Sequence, residues 1–183
     1  MDSNWLGQHA RLYASRWESS EASVSTLLER KIRERCARTD ESAEAAMTLI
    51  PSVIEGLVEQ NYVDDLRFAK GVHERQRRRG ASSAQIRAKL LAKGIGASLL
   101  GSLFASESED AEARAAWRFA KRRQLGPYCR DPEKREAARE RHLSALFRAG
   151  FDEDRALRII DAETIPQAEA EVAEEKEQLD GPW

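Results

Sequence analysis

Several kinds of residue are scarce in this chain of 183 residues, and each scarcity argues against a class of protein. The two cysteines, Cys36 and Cys129, lie far apart without CxxC spacing, and the three histidines are isolated from them and from one another. This distribution argues against a zinc site, and no base lies near either thiol to activate it as a nucleophile. No stretch approaches the length of a membrane span or of a secretory signal, so the cytoplasm is the expected location.

Aromatic residues make up only 7% of the chain, and there are only five prolines. Alternating runs of β-branched and aromatic residues, which are typical of strands, are missing throughout. Alanine, arginine, glutamate, leucine and lysine are abundant instead. The composition therefore predicts an essentially all-α protein.

Groups of residues that would carry out catalysis are also missing. The chain has no glycine-rich phosphate loop, no serine or cysteine paired with a credible base, and no cluster of metal ligands. Asp64 and Asp65 are adjacent, so their side chains point in different directions, and a helix cap explains them better than an acid/base pair. We therefore predict a protein that is not an enzyme and that uses no cofactor or metal.

The most informative stretch covers residues 62–95. A helix is predicted to begin at Asp64 and to stop before Gly80, after a run of three arginines. Ser82 and Gln85 have the spacing of a capping box, which predicts a second helix that ends near Gly94.

Cations dominate this stretch, because Glu74 is the only acid between residues 66 and 93. The periodicity predicts that Phe68, Ala69 and Val72 pack on one side of the first helix, with a cationic face opposite. A second basic group follows at residues 118–123. Such faces are often only solvated, but the lack of compensating acids and the recurrence favour binding to a polyanion or an acidic protein surface. The predicted binding residues are Arg67, Lys70, Arg77, Arg78, Arg79, Arg87, Lys89, Lys93, Arg118, Lys121, Arg122 and Arg123.

Parts of the chain resemble one another. The residues of 67–69 are matched by those of 118–120, and the pattern from Leu90 to Gly94 is matched by that from Leu146 to Gly150. We predict three tandem three-helix repeats that stack into an elongated, curved array. The expected boundaries are 1–63, with an insertion near 37–50, then 64–108 and 109–162. The acidic tail, 163–183, is expected to be a solvated helix or disordered.

Two further helices have a predicted apolar face. Near the N-terminus, Leu6, Ala10, Tyr13 and Trp17 have the spacing of one packed stripe. A later helix, from about residue 132 to 149, is expected to bury Leu143, Leu146 and Phe147. For Tyr13, Trp17 and Trp117, core packing is the favoured interpretation over stacking on nucleic-acid bases.

These residues resemble the RecX family of bacterial regulatory proteins, which modulate the RecA recombinase. The resemblance rests on residues 62–65 followed by 67–69, on Gly80 before the helix that ends at 93–95, and on residues 131–135 leading to 150–151. It covers roughly residues 8 to 162. The chain departs from the family pattern at Cys36, where the pattern implies glycine, and in the apparent insertion 37–50.

The resemblance implies three tandem three-helix repeats and a non-enzymatic inhibitor of RecA. Such proteins lodge in the groove of the RecA nucleoprotein filament and damp its ATPase, strand-exchange and coprotease activities, which affects DNA repair, recombination and the SOS response. The implied partners are the RecA filament and single- and double-stranded DNA without sequence preference.

Two other functions remain open from the sequence. A stand-alone basic helical module could bind DNA without any recombinase. Alternatively, the acidic tail could imitate a DNA strand and occupy the basic face. No membrane partner is expected, and a monomer is the default expectation.

Overall fold

The computed structural model describes residues 2–108 and 110–164, and this part of the chain contains helices and no strand. The prediction of an all-α protein is confirmed. The helices are α1 (Ser3–Ala14), α2 (Glu21–Cys36), α3 (Ala43–Met47), α4 (Ile50–Glu59), α5 (Asp65–Arg78), α6 (Ser83–Leu91), α7 (Ala97–Ala105), α8 (Ala111–Arg123), α9 (Arg139–Arg148) and α10 (Glu153–Asp161). The acidic tail from residue 165 onwards lies outside the described residues.

The chain divides into two compact units. The first consists of Met1–Gly71 and Lys89–Gly101, and the second of Val72–Ala88 and Ser102–Trp183. The division into three tandem repeats and a tail, at 1–63, 64–108, 109–162 and 163–183, stays a prediction.

The first unit has a core of aliphatic side chains from α1, α2 and α4. Leu6 and Ala10 of α1 meet Leu28 of α2 and Leu57 of α4, all almost fully buried. The segment 37–50, expected to be an insertion, contributes to this core, because Ala46 of the short helix α3 is buried in it. The N-terminal prediction is thus confirmed for Leu6 and Ala10.

The second unit has a core formed by α8, α9 and α10. Small residues of α8, including Ala116 and Ala120, let the helices approach closely, and Leu146 and Ile159 fill the space between them. Trp117 is buried in this core, as predicted, and its ring meets Tyr128 edge to face, with 6.5 Å between the ring centroids.

Side chains cap the helices where the sequence predicted. The carboxylate of Asp64 accepts a hydrogen bond from the backbone amide of Arg67 at 2.9 Å, and α5 begins at the next residue. The Ser82 hydroxyl accepts one from the amide of Gln85 at 3.2 Å, and α6 follows. These contacts satisfy amides that have no partner within the helix.

Two predicted core residues are exposed. Trp17 is 63% exposed, because α1 ends at Ala14 and the helical spacing from Leu6 does not continue to residue 17. Phe147 is 45% exposed, since the core side of α9 is occupied by Leu143 and Leu146. The helix that contains Phe147 also begins at Arg139, not near 132, because Pro132 starts a separate 3-10 turn.

A similar contact occurs once in each unit. In the first unit, the hydroxyl of Ser20 donates to the carbonyl of Lys93 at 2.6 Å. In the second unit, the hydroxyl of Ser82 donates to the carbonyl of Ala149. Each serine caps a helix, and each acceptor carbonyl directly precedes a glycine with positive φ. This recurrence matches the predicted correspondence between residues 90–94 and 146–150.

Candidate partner-binding surfaces

In the first unit, four predicted binding residues are exposed. Arg67 is held by a hydrogen bond from its Nε to Glu18 at 2.9 Å and by another from Nη2 to the carbonyl of Asn61. The other three form no ion pair with residues 2–108 or 110–164, and they are Lys70, Lys89 and Lys93. These lysines are available to an anionic partner.

In the second unit, Arg78 and Arg79 are exposed at the end of α5, with no carboxylate partner among the described residues. Arg87 is half-buried, and its guanidinium lies 3.9 Å from the ring centroid of Phe104. This distance is typical of a cation–π contact, so part of the Arg87 side chain has a packing role.

Arg77 differs from its neighbours, because it is buried, with only 8% of its surface exposed. The periodicity of the sequence predicted an exposed position for this residue. In the structure, its guanidinium donates to both carboxylate oxygens of Glu107 at 2.6 Å and to Glu112 at 2.7 Å. It also donates to the carbonyl of Ala81 at 3.0 Å and to the hydroxyl of Ser83 at 2.5 Å. The three guanidinium nitrogens thus make five hydrogen bonds, one for each N–H group, as burial of a guanidinium requires.

This network changes the ionisation of its members. Burial alone would raise the pKa of Glu107, but hydrogen bonds from Arg77 and its positive charge, with His73 close by, hold that pKa below its ordinary value. The Nε2 atom of His73 lies 2.8 Å from Glu107 Oε1, outside hydrogen-bonding geometry. Burial acts to lower the pKa of Arg77, and the two carboxylates outweigh it, so the Arg77 pKa is raised.

Acidification should therefore weaken the second unit through Glu107. Because its folded pKa lies below its unfolded value, its ionisation contributes stability above the unfolded pKa, and this contribution is lost as pH falls through the folded pKa. We expect the stability difference between the wild type and Glu107→Gln to shrink as the pH falls from neutral to below 4.5, the ordinary value. Urea denaturation at several pH values measures this, and a difference independent of pH would contradict it.

The last predicted group lies on α8. Arg118, Lys121, Arg122 and Arg123 are exposed on the C-terminal half of this helix. An Nη of Arg118 lies within 3.5 Å of the carbonyl of Arg77, and Arg122 and Arg123 each lie 5.9 Å from the ring centroid of Phe119. The structure therefore brings these four cations together on one helix. Their positive charges also stabilise the C-terminal, negative end of the helix dipole.

Sequence reasoning missed another cationic group in the second unit. Arg123 lines a groove with a volume of about 620 Å³ together with four cations that were not predicted as binding residues, namely Arg130, Lys134, Arg141 and Arg148. They are spread over residues 130–148, and only the fold brings them to one depression. The density of arginine in this segment was the available signal.

Residues 2–108 and 110–164 contain no group of three or more histidine, cysteine, aspartate or glutamate side chains that could hold a metal ion. Within the same residues, no helix combines the length and the apolar character needed to cross a membrane.

The chain is similar to the regulatory protein RecX of Myxococcus xanthus (strain DK1622). The two are 27% identical over 159 residues, which make up 86% of this chain and 85% of that protein. No family model matches the chain. No solved structure matches it either. The similarity supports a RecX-like protein, and the relative is named as a regulatory protein.

Proposed function

We propose that this protein is a non-enzymatic regulator that binds the RecA nucleoprotein filament and inhibits it. The observation that carries the proposal is the similarity to a protein named RecX over most of both chains. The all-helical fold and the exposed cationic helices support it. In this proposal the protein acts as a monomer in the cytoplasm, lowers the ATPase, strand-exchange and coprotease activities of RecA, and so modulates DNA repair, recombination and the SOS response.

The proposed contacts are the predicted binding residues that are not buried. A filament groove presents DNA phosphates and acidic protein surface, and lysine and arginine bind both without reading base sequence. In the first unit the contacts are Arg67, Lys70, Lys89 and Lys93. In the second unit they are Arg78, Arg79, Arg87, Arg118, Lys121, Arg122 and Arg123. Arg77, being buried and paired, supports these residues by holding the end of α5 in place.

The test is a titration of the protein into a RecA DNA-dependent ATPase assay. We expect inhibition at concentrations too low to coat the DNA. Reversing two exposed charges in Arg78→Glu/Arg79→Glu should raise the half-inhibitory concentration about tenfold, which corresponds to about 1.4 kcal/mol of binding free energy.

A matched control reverses two charges outside the proposed contacts. Arg16 and Arg38 are exposed, so Arg16→Glu/Arg38→Glu should inhibit like the wild type. Inhibition that begins only when enough protein is present to cover the DNA would instead support the alternative, a stand-alone DNA-binding module without a recombinase partner. The exposed cations of the two units, which can bind phosphates without a protein partner, are the observation that favours this alternative.

A further inference from the structure

We infer that the groove of the second unit binds the phosphate backbone of a single-stranded nucleic acid, chiefly through Arg123, Arg130, Arg141 and Arg148. The inference deepens the proposed function, because it gives the regulator a specific nucleic-acid site. Of these four arginines, only Arg123 belongs to the binding residues predicted from the sequence.

The groove has a strong excess of positive charge. Its lining contains five cations and one carboxylate, that of Asp131. Asp131 is occupied by the fifth cation, Lys134, at 2.8 Å. Among residues 2–108 and 110–164, the four arginines form no ion pair. An anion that entered the groove would therefore meet arginines without competing carboxylates.

Neighbouring arginines outside the groove show that this pattern is selective. Arg135 donates to the carbonyls of Ile160 and Ala162 at 2.6 and 2.5 Å, where it satisfies the end of α10. Arg139 pairs with Asp161 at 3.0 Å. The groove arginines make fewer such contacts, because among the described residues they pair with no carboxylate and only Arg148 donates a hydrogen bond, from its Nε to the carbonyl of Ser144 at 3.2 Å.

The floor of the groove carries little charge. Phe119, Leu125 and Ala149 contribute buried apolar side chains. His142 is also buried there, and its Nδ1 accepts a hydrogen bond from the amide of Gly126 at 3.3 Å. Burial, reinforced by the charges of Arg141 and Arg135, lowers the pKa of His142, which keeps it neutral near pH 7. Positive charge is therefore confined to the rim.

The spacing of the rim arginines indicates a ligand with several phosphates. Arg141 and Arg148 lie seven residues apart on α9, about two helical turns, so they share a face about 10.5 Å apart along the axis. One phosphate group cannot readily meet both positions, whereas successive phosphates of a strand can. A cavity of about 620 Å³ admits a segment of a single strand, while a duplex could only lie across its mouth.

A cationic rim over an apolar floor suits nucleic acid better than an acidic peptide. Bases have apolar faces that can cover such a floor while the phosphates meet the arginines. A run of glutamate or aspartate side chains would satisfy the rim and leave the floor uncovered.

The test measures binding of a fluorescein-labelled oligo-dT by anisotropy over a series of NaCl concentrations, without RecA. The variant Arg141→Glu/Arg148→Glu should bind at least tenfold more weakly at low salt. The slope of log K against log salt should become shallower by about 1.4, since each lost phosphate contact on a single strand removes about 0.7. The neutral variant Arg141→Gln/Arg148→Gln should lose a smaller part of the affinity. Circular dichroism checks that both variants are folded.

Three results would overturn the inference. The groove variant could bind as tightly as the wild type, or no more weakly than the control Arg16→Glu/Arg38→Glu. Affinity for a duplex could fall as much as affinity for oligo-dT, which would remove the single-strand assignment. The wild type could fail to bind oligo-dT while binding polyglutamate through the same arginines, which would identify an acidic peptide as the ligand.

The same proteins in the RecA ATPase assay separate this inference from the proposed function. A wild type that binds oligo-dT through the groove but leaves RecA unaffected would contradict the regulator and preserve the groove. If the groove variant binds oligo-dT as tightly as the wild type, and the wild type inhibits RecA, the groove is contradicted and the regulator is preserved.

Discussion

Replacing Arg77 by methionine should lower the free energy of unfolding by about 3–5 kcal/mol, the range expected when one member of a buried ion pair is removed. Methionine keeps much of the side-chain length but none of the charge. Glu107 and Glu112 would then remain largely buried without their cation, and the carbonyl of Ala81 would lose a donor. Urea denaturation followed by circular dichroism measures the effect.

Two comparisons make the Arg77 prediction specific. The adjacent Arg78 is exposed, so Arg78→Met should change stability by no more than about 0.5 kcal/mol. Adding Glu107→Gln and Glu112→Gln to Arg77→Met should restore part of the lost stability, because the uncompensated charges disappear. Equal effects of Arg77→Met and Arg78→Met would show that the buried network does not stabilise the fold.

The burial of Arg77 also decides which variants can test the proposed contacts. A variant that changes Arg77 together with Arg78 and Arg79 would mix a folding defect with the loss of surface charge. The exposed pair Arg78 and Arg79 is therefore the better probe of partner binding, and Arg77 is a probe of stability.

Local signals in the sequence predicted the starts of α5 and α6, but not the start of α9. Asp64 and Ser82 cap the helices expected of them, since a cap depends on residues only three positions apart. Predictions of burial were confirmed for Leu6, Ala10, Leu143 and Leu146. They were wrong for Trp17, where a stripe was extended beyond the end of α1, and for Phe147, which is exposed although it lies within α9.

The candidate site was harder to predict, because it depends on contacts between distant residues. The carboxylates that neutralise Arg77 come from 30 and 35 positions further along, and Glu107 lies in a polar stretch that reads as a break between helices. Counting charges within residues 66–93 therefore overstated the free cations. The groove residues Arg130 and Arg141 were missed for the same reason, since their proximity follows from the packing of the second unit.

Replacing Gly80 by alanine should lower the free energy of unfolding by about 3 kcal/mol. Gly80 has φ +74°, a left-handed conformation that costs other residues about 1–2 kcal/mol. A Cβ atom there would lie 2.5 Å from the backbone nitrogen of Phe119 and 2.8 Å from the carbonyl oxygen of Ala115. Both atoms belong to the backbone of α8, so relief requires that the helix itself shifts, which adds about 1–3 kcal/mol.

The same substitution elsewhere should have the opposite effect. Gly101 lies inside α7, and a Cβ atom there would meet nothing within 4 Å. Gly101→Ala should therefore stabilise the protein by about 0.5–1 kcal/mol, because alanine loses less conformational entropy in a helix. Thermal denaturation of the two variants should show shifts of opposite sign. A Gly80→Ala variant as stable as the wild type would mean that α8 can move away from this turn, and the close approach would then contribute little to the stability of the second unit.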